Sequence, residues 1–217
     1  MFGVIASLSG CGPTPQAKSQ AAGRTISDAD RPTVLFLGTS LTAGLGLTPE
    51  QAYPALIQRK IDSAGLNYTV VNAGVSGETS AGARNRIDWL LQRPVGVLVV
   101  ETGANDGLRG LPADSLRANI KAILERAGRI RPAPKLVLLG MRIPRNYGVV
   151  YSDQFRAVYP ELAREYGATL VPFLLEGVGG VATLNQPDGV HPTAEGQKKM
   201  AETVWRVLEP VLREPTL

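Results

Sequence analysis

Short apolar runs alternate along the chain with longer segments in which apolar residues recur at helical spacing. The runs have the length of buried strands, and they lie at 34–37, 68–71, 95–100, 136–139 and 169–171. The longer segments predict helices over 49–64, 80–92, 114–129, 152–166 and 193–212. This alternation predicts an α/β fold, a three-layer α/β/α sandwich around a five-stranded parallel sheet with right-handed crossovers.

Polar, glycine-marked turns follow the first three predicted strands. The first run ends at Gly38, and Ser40 follows two residues later. The second run is followed by the loop 72–79, which contains two glycines, and the third by the loop 101–107, which contains Asn105. Because carboxyl ends of parallel strands meet at one edge of a sheet, these loops are expected to form one site. Taken alone, a serine in this position is usually a helix cap, so the other loops decide between the two interpretations.

His191, the only histidine, lies in the loop before the last predicted helix. Asp188 precedes it by three residues, within hydrogen-bond reach, and Pro192 stiffens the chain directly after it. This arrangement favours a catalytic role for His191 over the usual interpretation of a lone histidine as a structural residue. One histidine and one cysteine are too few ligands for a zinc site. We therefore expect no metal and no cofactor.

Composition limits the classes of protein that fit. The 217 residues are 44% hydrophobic, enough for one sizeable core, and we expect a single folded domain over 32–213. The net charge of +4 comes from basic residues spread along the chain rather than clustered, which argues against a nucleic-acid partner. No obligate protein partner is evident. No apolar run reaches the length of a membrane span.

The amino terminus has the composition of a leader and a tether. A short apolar segment ends in Leu8-Ser9-Gly10-Cys11, and a tract rich in Pro, Gln, Ser and Ala follows. The four residues resemble the bacterial lipobox, which implies cleavage before Cys11 and lipidation of that cysteine. We expect a signal segment over 1–11, a flexible linker over 12–31 and a periplasmic location in the bacterial cell envelope. The alternative is a disordered start with an incidental cysteine.

Four motifs together resemble the SGNH or GDSL hydrolase family. They are Gly38-Thr39-Ser40-Leu41, Asn72-Ala73-Gly74-Val75-Ser76-Gly77, Gly103-Ala104-Asn105-Asp106 and Asp188-Gly189-Val190-His191-Pro192, in the family's order. The segments 101–110 and 142–148 are similar to the thioesterase I/lysophospholipase L1 (arylesterase) branch. The resemblance covers about 33–212 and implies the flavodoxin-like SGNH hydrolase fold.

The resemblance implies roles for the residues of these motifs. Ser40 is the expected nucleophile, His191 its base and Asp188 the acid that orients His191. The expected oxyanion donors are the backbone N–H groups of Ser40 and Gly74 and the side-chain amide of Asn105. One departure is Thr39, where the family usually has aspartate; that aspartate is not the triad acid.

The implied substrates are small-molecule or lipid esters: aryl esters, acyl thioesters and lysophospholipids. Four apolar residues in two loops could flank an acyl chain: Leu108, Leu111, Ile143 and Tyr147. Membrane contact is expected only through a lipid anchor at Cys11. Two alternatives stay open at this stage: a carbohydrate O-deacetylase, and a non-catalytic lipid- or glycan-binding lipoprotein on a hydrolase fold.

Overall fold

The computed structural model describes residues 1–3 and 31–215. The strands are β1 (Thr33–Gly38), β2 (Thr69–Gly74), β3 (Val97–Glu101), β4 (Lys135–Leu139) and β5 (Thr169–Val171). The helices are α1 (Ser40–Ala43), α2 (Tyr53–Ser63), α3 (Ser80–Leu90), α4 (Ala104–Leu108), α5 (Ala113–Arg129), α6 (Val149–Tyr166) and α7 (Ala194–Arg213). Short 3₁₀ turns lie at Pro49–Gln51, Arg145–Tyr147 and Ala182–Leu184.

The five strands form one parallel sheet in the order β2-β1-β3-β4-β5. Because β2 lies on one side of β1 and β3 on the other, right-handed crossovers place α2 on one face and α3, α5 and α6 on the opposite face. The helix contacts agree: α2 packs on α7, α3 on α5, and α5 on α6. The predicted α/β sandwich with a parallel five-stranded sheet is confirmed.

The core follows the sheet's two central strands. Every residue of β3 is buried, as is β1 from Val34 onward, whereas the edge strand β2 is partly exposed. Strands β1 and β3 therefore carry helices on both faces, which explains their near-continuous apolar sequence. The exception within β3 is Glu101, a fully buried carboxyl at the strand's last position.

The strand order also fixes where a site can form. The connections from β1 and β3 leave the sheet in opposite directions, since one leads toward β2 and the other toward β4. Such a reversal opens a crevice at the carboxyl ends of the two strands, where open α/β sheets bind ligands. Ser40 follows β1 and Asn105 follows β3, so both residues lie at this crevice.

The structure differs from the sequence prediction at several element ends. Two short helices, α1 and α4, replace segments expected to be turns, because four or five residues cannot display a helical period. Helix α6 begins at Val149 rather than at 152, and β2 continues to Gly74 rather than ending at 71. In 1–3 and 31–215, no helix combines the length and apolar character needed to cross a membrane.

Candidate active site

Ser40, His191 and Asp188 form a continuous chain of hydrogen bonds. The Nε2 atom of His191 lies 3.0 Å from Ser40 Oγ, and its Nδ1 atom lies 2.7 Å from Asp188 Oδ2. Ser40 and His191 are 151 positions apart in the chain. The structure thus brings together the three residues expected to be catalytic, in the geometry of a nucleophile, a base and an orienting acid.

Asp188 is held as a carboxylate by donors of its own loop. Its Oδ1 accepts the backbone N–H groups of Val190 and His191, each at 2.9 Å. The His191 N–H, then the His191 ring, then the Val190 N–H lower the pKa of Asp188 from 3.8 to about 2. An ionised Asp188 accepts a hydrogen bond from Nδ1–H, which leaves Nε2 free to accept the hydroxyl proton of Ser40.

The loop that carries His191 is tied to the rest of the edge. The His191 carbonyl accepts the Gln186 N–H at 2.7 Å, and the Gln186 side chain donates to Leu45 O at 2.7 Å and to Pro192 O at 3.0 Å. Helix α7 then begins with Thr193 as its cap, whose hydroxyl accepts the Gly196 N–H. His191 is therefore fixed between the segment after α1 and the start of α7.

The turn before the nucleophile is built on the buried Glu101. Its carboxylate accepts the Thr39 N–H at 2.7 Å, the Thr39 hydroxyl at 3.0 Å and the Thr42 hydroxyl at 2.8 Å. Burial raises the pKa of Glu101, and these donors partly oppose that rise. Thr39, the departure from the family's aspartate, is thus a donor to Glu101, fully buried beneath the nucleophile turn.

Glycine at position 38 is required by close approach rather than by backbone conformation. A Cβ on Gly38 would lie 2.0 Å from Thr42 Oγ1 and 2.9 Å from Glu101 Oε2. Its φ angle is not positive, so the strain expected of a tight turn is not the reason for the glycine. The Gly38 carbonyl accepts from Val75 N–H at 2.9 Å and from the Arg86 guanidinium at 3.2 Å.

Helix α1, which begins with Ser40, is held from several sides. Because the Thr42 hydroxyl proton points to Glu101, the Tyr53 hydroxyl must donate in its 2.8 Å contact with Thr42 Oγ1. The Thr42 carbonyl accepts from the Asn72 amide at 2.9 Å. The Leu41 carbonyl accepts from the Gln197 amide of α7 at 3.1 Å. The nucleophile therefore sits on a helix with little freedom to shift.

Two of the three expected oxyanion donors fit that role. The backbone N–H of Ser40 begins α1 and has no acceptor within the described residues. The Asn105 amide gives one N–H to Glu78 O at 3.0 Å and keeps its second for a ligand. Asn105 lines the same cavity as Ser40 and His191.

Gly74 does not offer the free donor expected of it. Its N–H already donates to Asn72 Oδ1 at 2.9 Å, and a Cβ there would lie 2.3 Å from the backbone N of Ala43. Gly74 is thus a packing glycine beneath α1. Gly77 of the same loop has a φ of +78°, and its N–H has no acceptor within 1–3 and 31–215. Sequence alone offered no way to choose between these two loop glycines.

An apolar cavity of about 380 Å³ adjoins the triad. Its lining includes Ser40, Asn105 and His191 and is otherwise mainly apolar, with Leu41, Leu108, Met141, Ile143, Phe173, Leu175 and Val190. Of the four residues expected to contact substrate, Leu108 and Ile143 line this cavity. Leu111 and Tyr147 lie outside its lining and are exposed at the surface.

A buried serine hydroxyl bonded to a histidine and an aspartate at the carboxyl edge of a parallel α/β sheet defines a serine hydrolase. The chain belongs to the GDSL-like Lipase/Acylhydrolase family, whose model matches residues 36–199. The family membership inferred from the four motifs is therefore confirmed.

Relatives match along nearly the whole chain. Esterase TesA of Pseudomonas aeruginosa is 41% identical over 94% of this chain and 98% of its own. Thioesterase 1/protease 1/lysophospholipase L1 of Escherichia coli K12 is 37% identical over 87% of this chain and 88% of its own. The solved structure of esterase EstA from Pseudoalteromonas sp., inhibited by monoethylphosphonate, has a TM-score of 0.77 at 32% identity and covers 84% of this chain and 99% of its own.

Replacing Thr39 by valine removes a donor to Glu101 at nearly constant size. We expect the free energy of unfolding to fall by about 1–3 kcal/mol, because the buried carboxylate loses a hydrogen bond, and kcat to fall with KM little changed. Thr102→Val is the matched control: Thr102 is equally buried, and its hydroxyl has no partner within the described residues. We expect it to be neutral or stabilising. Urea unfolding and steady-state kinetics measure both; equal losses would contradict the role of Thr39.

Proposed function

We propose that this protein is an esterase and thioesterase that hydrolyses acyl esters through an acyl-enzyme on Ser40. The observation that carries this conclusion is the hydrogen-bonded chain Ser40–His191–Asp188 at the wall of an apolar cavity. A serine hydroxyl is a weak nucleophile until a base takes its proton. The cavity supplies the complementary feature, a site for the acyl chain of the substrate.

In the first half-reaction, Ser40 Oγ attacks the ester carbonyl carbon while His191 Nε2 takes the hydroxyl proton. Asp188, which accepts a hydrogen bond from Nδ1, stabilises the positive charge that then forms on the ring. The tetrahedral intermediate collapses, the bond to the leaving oxygen or sulfur breaks, and His191 returns the proton to that atom. A water molecule then attacks the acyl-enzyme by the same route in reverse, releasing the acid and restoring Ser40.

The oxyanion of each tetrahedral intermediate requires donors that are in place before the reaction. We assign this role to the N–H of Ser40 and the free N–H of the Asn105 amide. Gly77 is the third candidate in place of Gly74, because its backbone N–H has no acceptor among the described residues and its loop is joined to Asn105 through Glu78 O. The carboxylate network of Glu101 keeps Ser40 oriented but does not touch the reacting atoms. None of these steps uses a metal or a cofactor.

The cavity supports acyl chains longer than acetyl as substrates. Its volume of about 380 Å³ and its mainly apolar lining suit the burial of methylene groups, each of which contributes about 0.8 kcal/mol. Aryl esters, acyl thioesters and lysophospholipids share this acyl group. A carbohydrate O-deacetylase, the alternative enzyme, hydrolyses only acetyl esters. An acetyl group would leave most of the cavity empty.

We place the protein in the bacterial cell envelope, on the periplasmic side and anchored by lipid at Cys11. This proposal rests on the Leu8-Ser9-Gly10-Cys11 motif and the tether composition that follows it. Residues 4–30 lie outside the described residues, so the signal segment and linker stay predictions, as does the domain range 32–213.

Substitution of the triad residues tests the mechanism. Ser40→Ala and His191→Ala are each expected to lower kcat for a p-nitrophenyl ester by about 10⁶-fold, and Asp188→Ala by about 10⁴-fold, because Asp188 assists through His191. A fluorophosphonate should label wild type at Ser40, as shown by peptide mass mapping, and should not label Ser40→Ala. Turnover near the wild-type rate in Ser40→Ala would contradict the role of Ser40 as the nucleophile. A wild type with neither turnover nor label would favour the non-catalytic binding protein.

Chain-length selection tests the role of the cavity. Leu108→Trp places bulk at a residue that lines the cavity, so we expect kcat/KM for octanoyl esters to fall at least tenfold more than for acetyl esters. Leu111→Trp makes the same change three residues on, at similar exposure but outside the lining; the octanoyl-to-acetyl ratio should not change. A wild-type preference for acetyl over octanoyl would support the deacetylase instead.

Lipidation of Cys11 is tested in a bacterial host grown with an alkynyl fatty acid. We expect the full chain to carry the label and to fractionate with membranes. Cys11→Ser should lose the label and be released from membranes by high salt, with kcat unchanged, since the tether precedes the catalytic domain. An unlabelled wild-type chain would indicate an incidental cysteine.

A further inference from the structure

Exposed apolar side chains are unevenly distributed over the surface. Within 31–215, most of the large ones lie in loops or helix starts that follow the carboxyl ends of strands, around the active site; Val71 and Trp89 are the exceptions. Single exposed apolar residues are normal, but a cluster at one functional edge indicates an interaction surface.

The largest group comes from two neighbouring loops. We call it the apolar rim, and it consists of Leu108, Leu111, Tyr147, Val149 and Val150, whose exposed fractions are 42%, 37%, 41%, 52% and 71%. Hydrogen bonds join the two loops, from the Tyr151 hydroxyl to Leu111 O at 2.6 Å and from the Tyr147 hydroxyl to Leu108 O at 3.5 Å. The apolar rim is therefore one surface.

The valines of the rim are displayed on a fixed backbone. Val149 and Val150 form the start of α6, and the Ser152 hydroxyl donates to Gly148 O at 2.8 Å, with Pro144 O at 3.2 Å as a second acceptor. Exposure of these valines is thus built into the helix start. A surface that is already ordered loses little conformational entropy when a partner covers it.

The charge beside the apolar rim is positive. Arg109 donates to the backbone carbonyl of Gly77, Arg142 lies over the Phe173 ring at 4.6 Å, and Arg145 has an exposed side chain. Two of these three arginines have no carboxylate partner within the described residues. Arg145 lies 4.0 Å from Asp153, which is also paired with Arg156 at 3.3 Å. The loops 104–112 and 141–151 contain one acidic residue, Asp106, and it is buried.

The rim continues into the acyl cavity. Leu108 belongs to both, and Ile143 and Pro144 line the cavity from the same loop that carries Tyr147. An acyl chain leaving an apolar phase at the rim would meet Leu108, which lines the cavity as well. Exposed aliphatic residues, a tyrosine and interspersed arginines are the combination that binds at the boundary of an anionic lipid layer.

We propose that the apolar rim docks the active-site edge onto an anionic lipid surface. Leu108, Leu111, Val149 and Val150 enter the acyl boundary, Tyr147 lies at the headgroup level, and Arg142 and Arg145 pair with headgroup phosphates. This contact is distinct from an anchor at Cys11, since it uses the folded domain itself. It goes beyond the proposed hydrolysis, because docking needs no turnover.

Vesicle flotation of the full chain tests the proposal without hydrolysis or a lipid anchor. The chain carries Cys11→Ser and Ser40→Ala, and the probes are vesicles of phosphatidylcholine alone and of phosphatidylcholine with 30 mol% phosphatidylglycerol. We expect binding to the anionic vesicles to be at least tenfold stronger, and to weaken as salt is raised. Equal binding to both vesicles, or to neither, would overturn the proposal whatever the esterase assays show.

Two rim variants in this background, each with a control variant, locate the surface. The double variant Arg142→Gln with Arg145→Gln should weaken binding about thirtyfold, the effect of two arginines near an anionic surface. Its control, Arg129→Gln with Arg164→Gln, removes equal charge from the last turns of α5 and α6 and should not change binding. Val149→Ser with Val150→Ser should weaken binding at least tenfold, and Trp89→Ser should not. Circular dichroism confirms that each variant is folded. Equal effects of rim and control variants, or a rim that instead mediates self-association in sedimentation, would refute lipid docking.

Discussion

The buried carboxylate of Glu101 is the constraint on which the catalytic geometry depends. Its oxygens accept hydrogen bonds from the Thr39 N–H, the Thr39 hydroxyl and the Thr42 hydroxyl. Thr39 and Thr42 lie on either side of Ser40. A buried charge is tolerated only while such donors remain in place. Satisfying Glu101 therefore fixes the backbone on both sides of the nucleophile, and the Tyr53 hydroxyl extends the same network into α2.

This network explains why the nucleophile turn accepts threonine where the family usually has aspartate. A carboxylate at position 39 would lie within hydrogen-bond distance of Glu101 in a buried space, and two such groups must share a proton. Threonine instead supplies a hydroxyl donor, which the Glu101 carboxyl accepts at 3.0 Å. The substitution changes the electrostatics under Ser40 while keeping a hydrogen bond that positions the turn.

The sequence predicted the sheet and its helices, because apolar runs of strand length and helical spacing are local information. It predicted the triad from motifs placed after the first strand and before the last helix. It did not predict that Glu101 accepts the hydrogen bonds that hold the nucleophile turn. A single carboxyl at the end of an otherwise apolar strand was the signal for such a role. The sequence also favoured Gly74 over Gly77, because the difference lies in a hydrogen bond from the Gly74 N–H to the Asn72 side chain, which spacing does not reveal. Helices α1 and α4 are too short to show a period.

The position of the triad makes catalysis dependent on the complete fold. Ser40 follows the first strand and His191 precedes the last helix, so their 3.0 Å contact requires α7 to dock against the sheet and α2. Gln197 of α7 makes that docking specific, since its amide accepts the Tyr53 N–H at 2.8 Å and donates to Leu41 O. The two bonds of Gln197 therefore hold α1, which carries Ser40, and the start of α2 against α7, the helix that follows His191. Ser40 and His191 are thus positioned by a shared support, whereas Val149 and Val150 of the apolar rim lie outside it, at the start of α6.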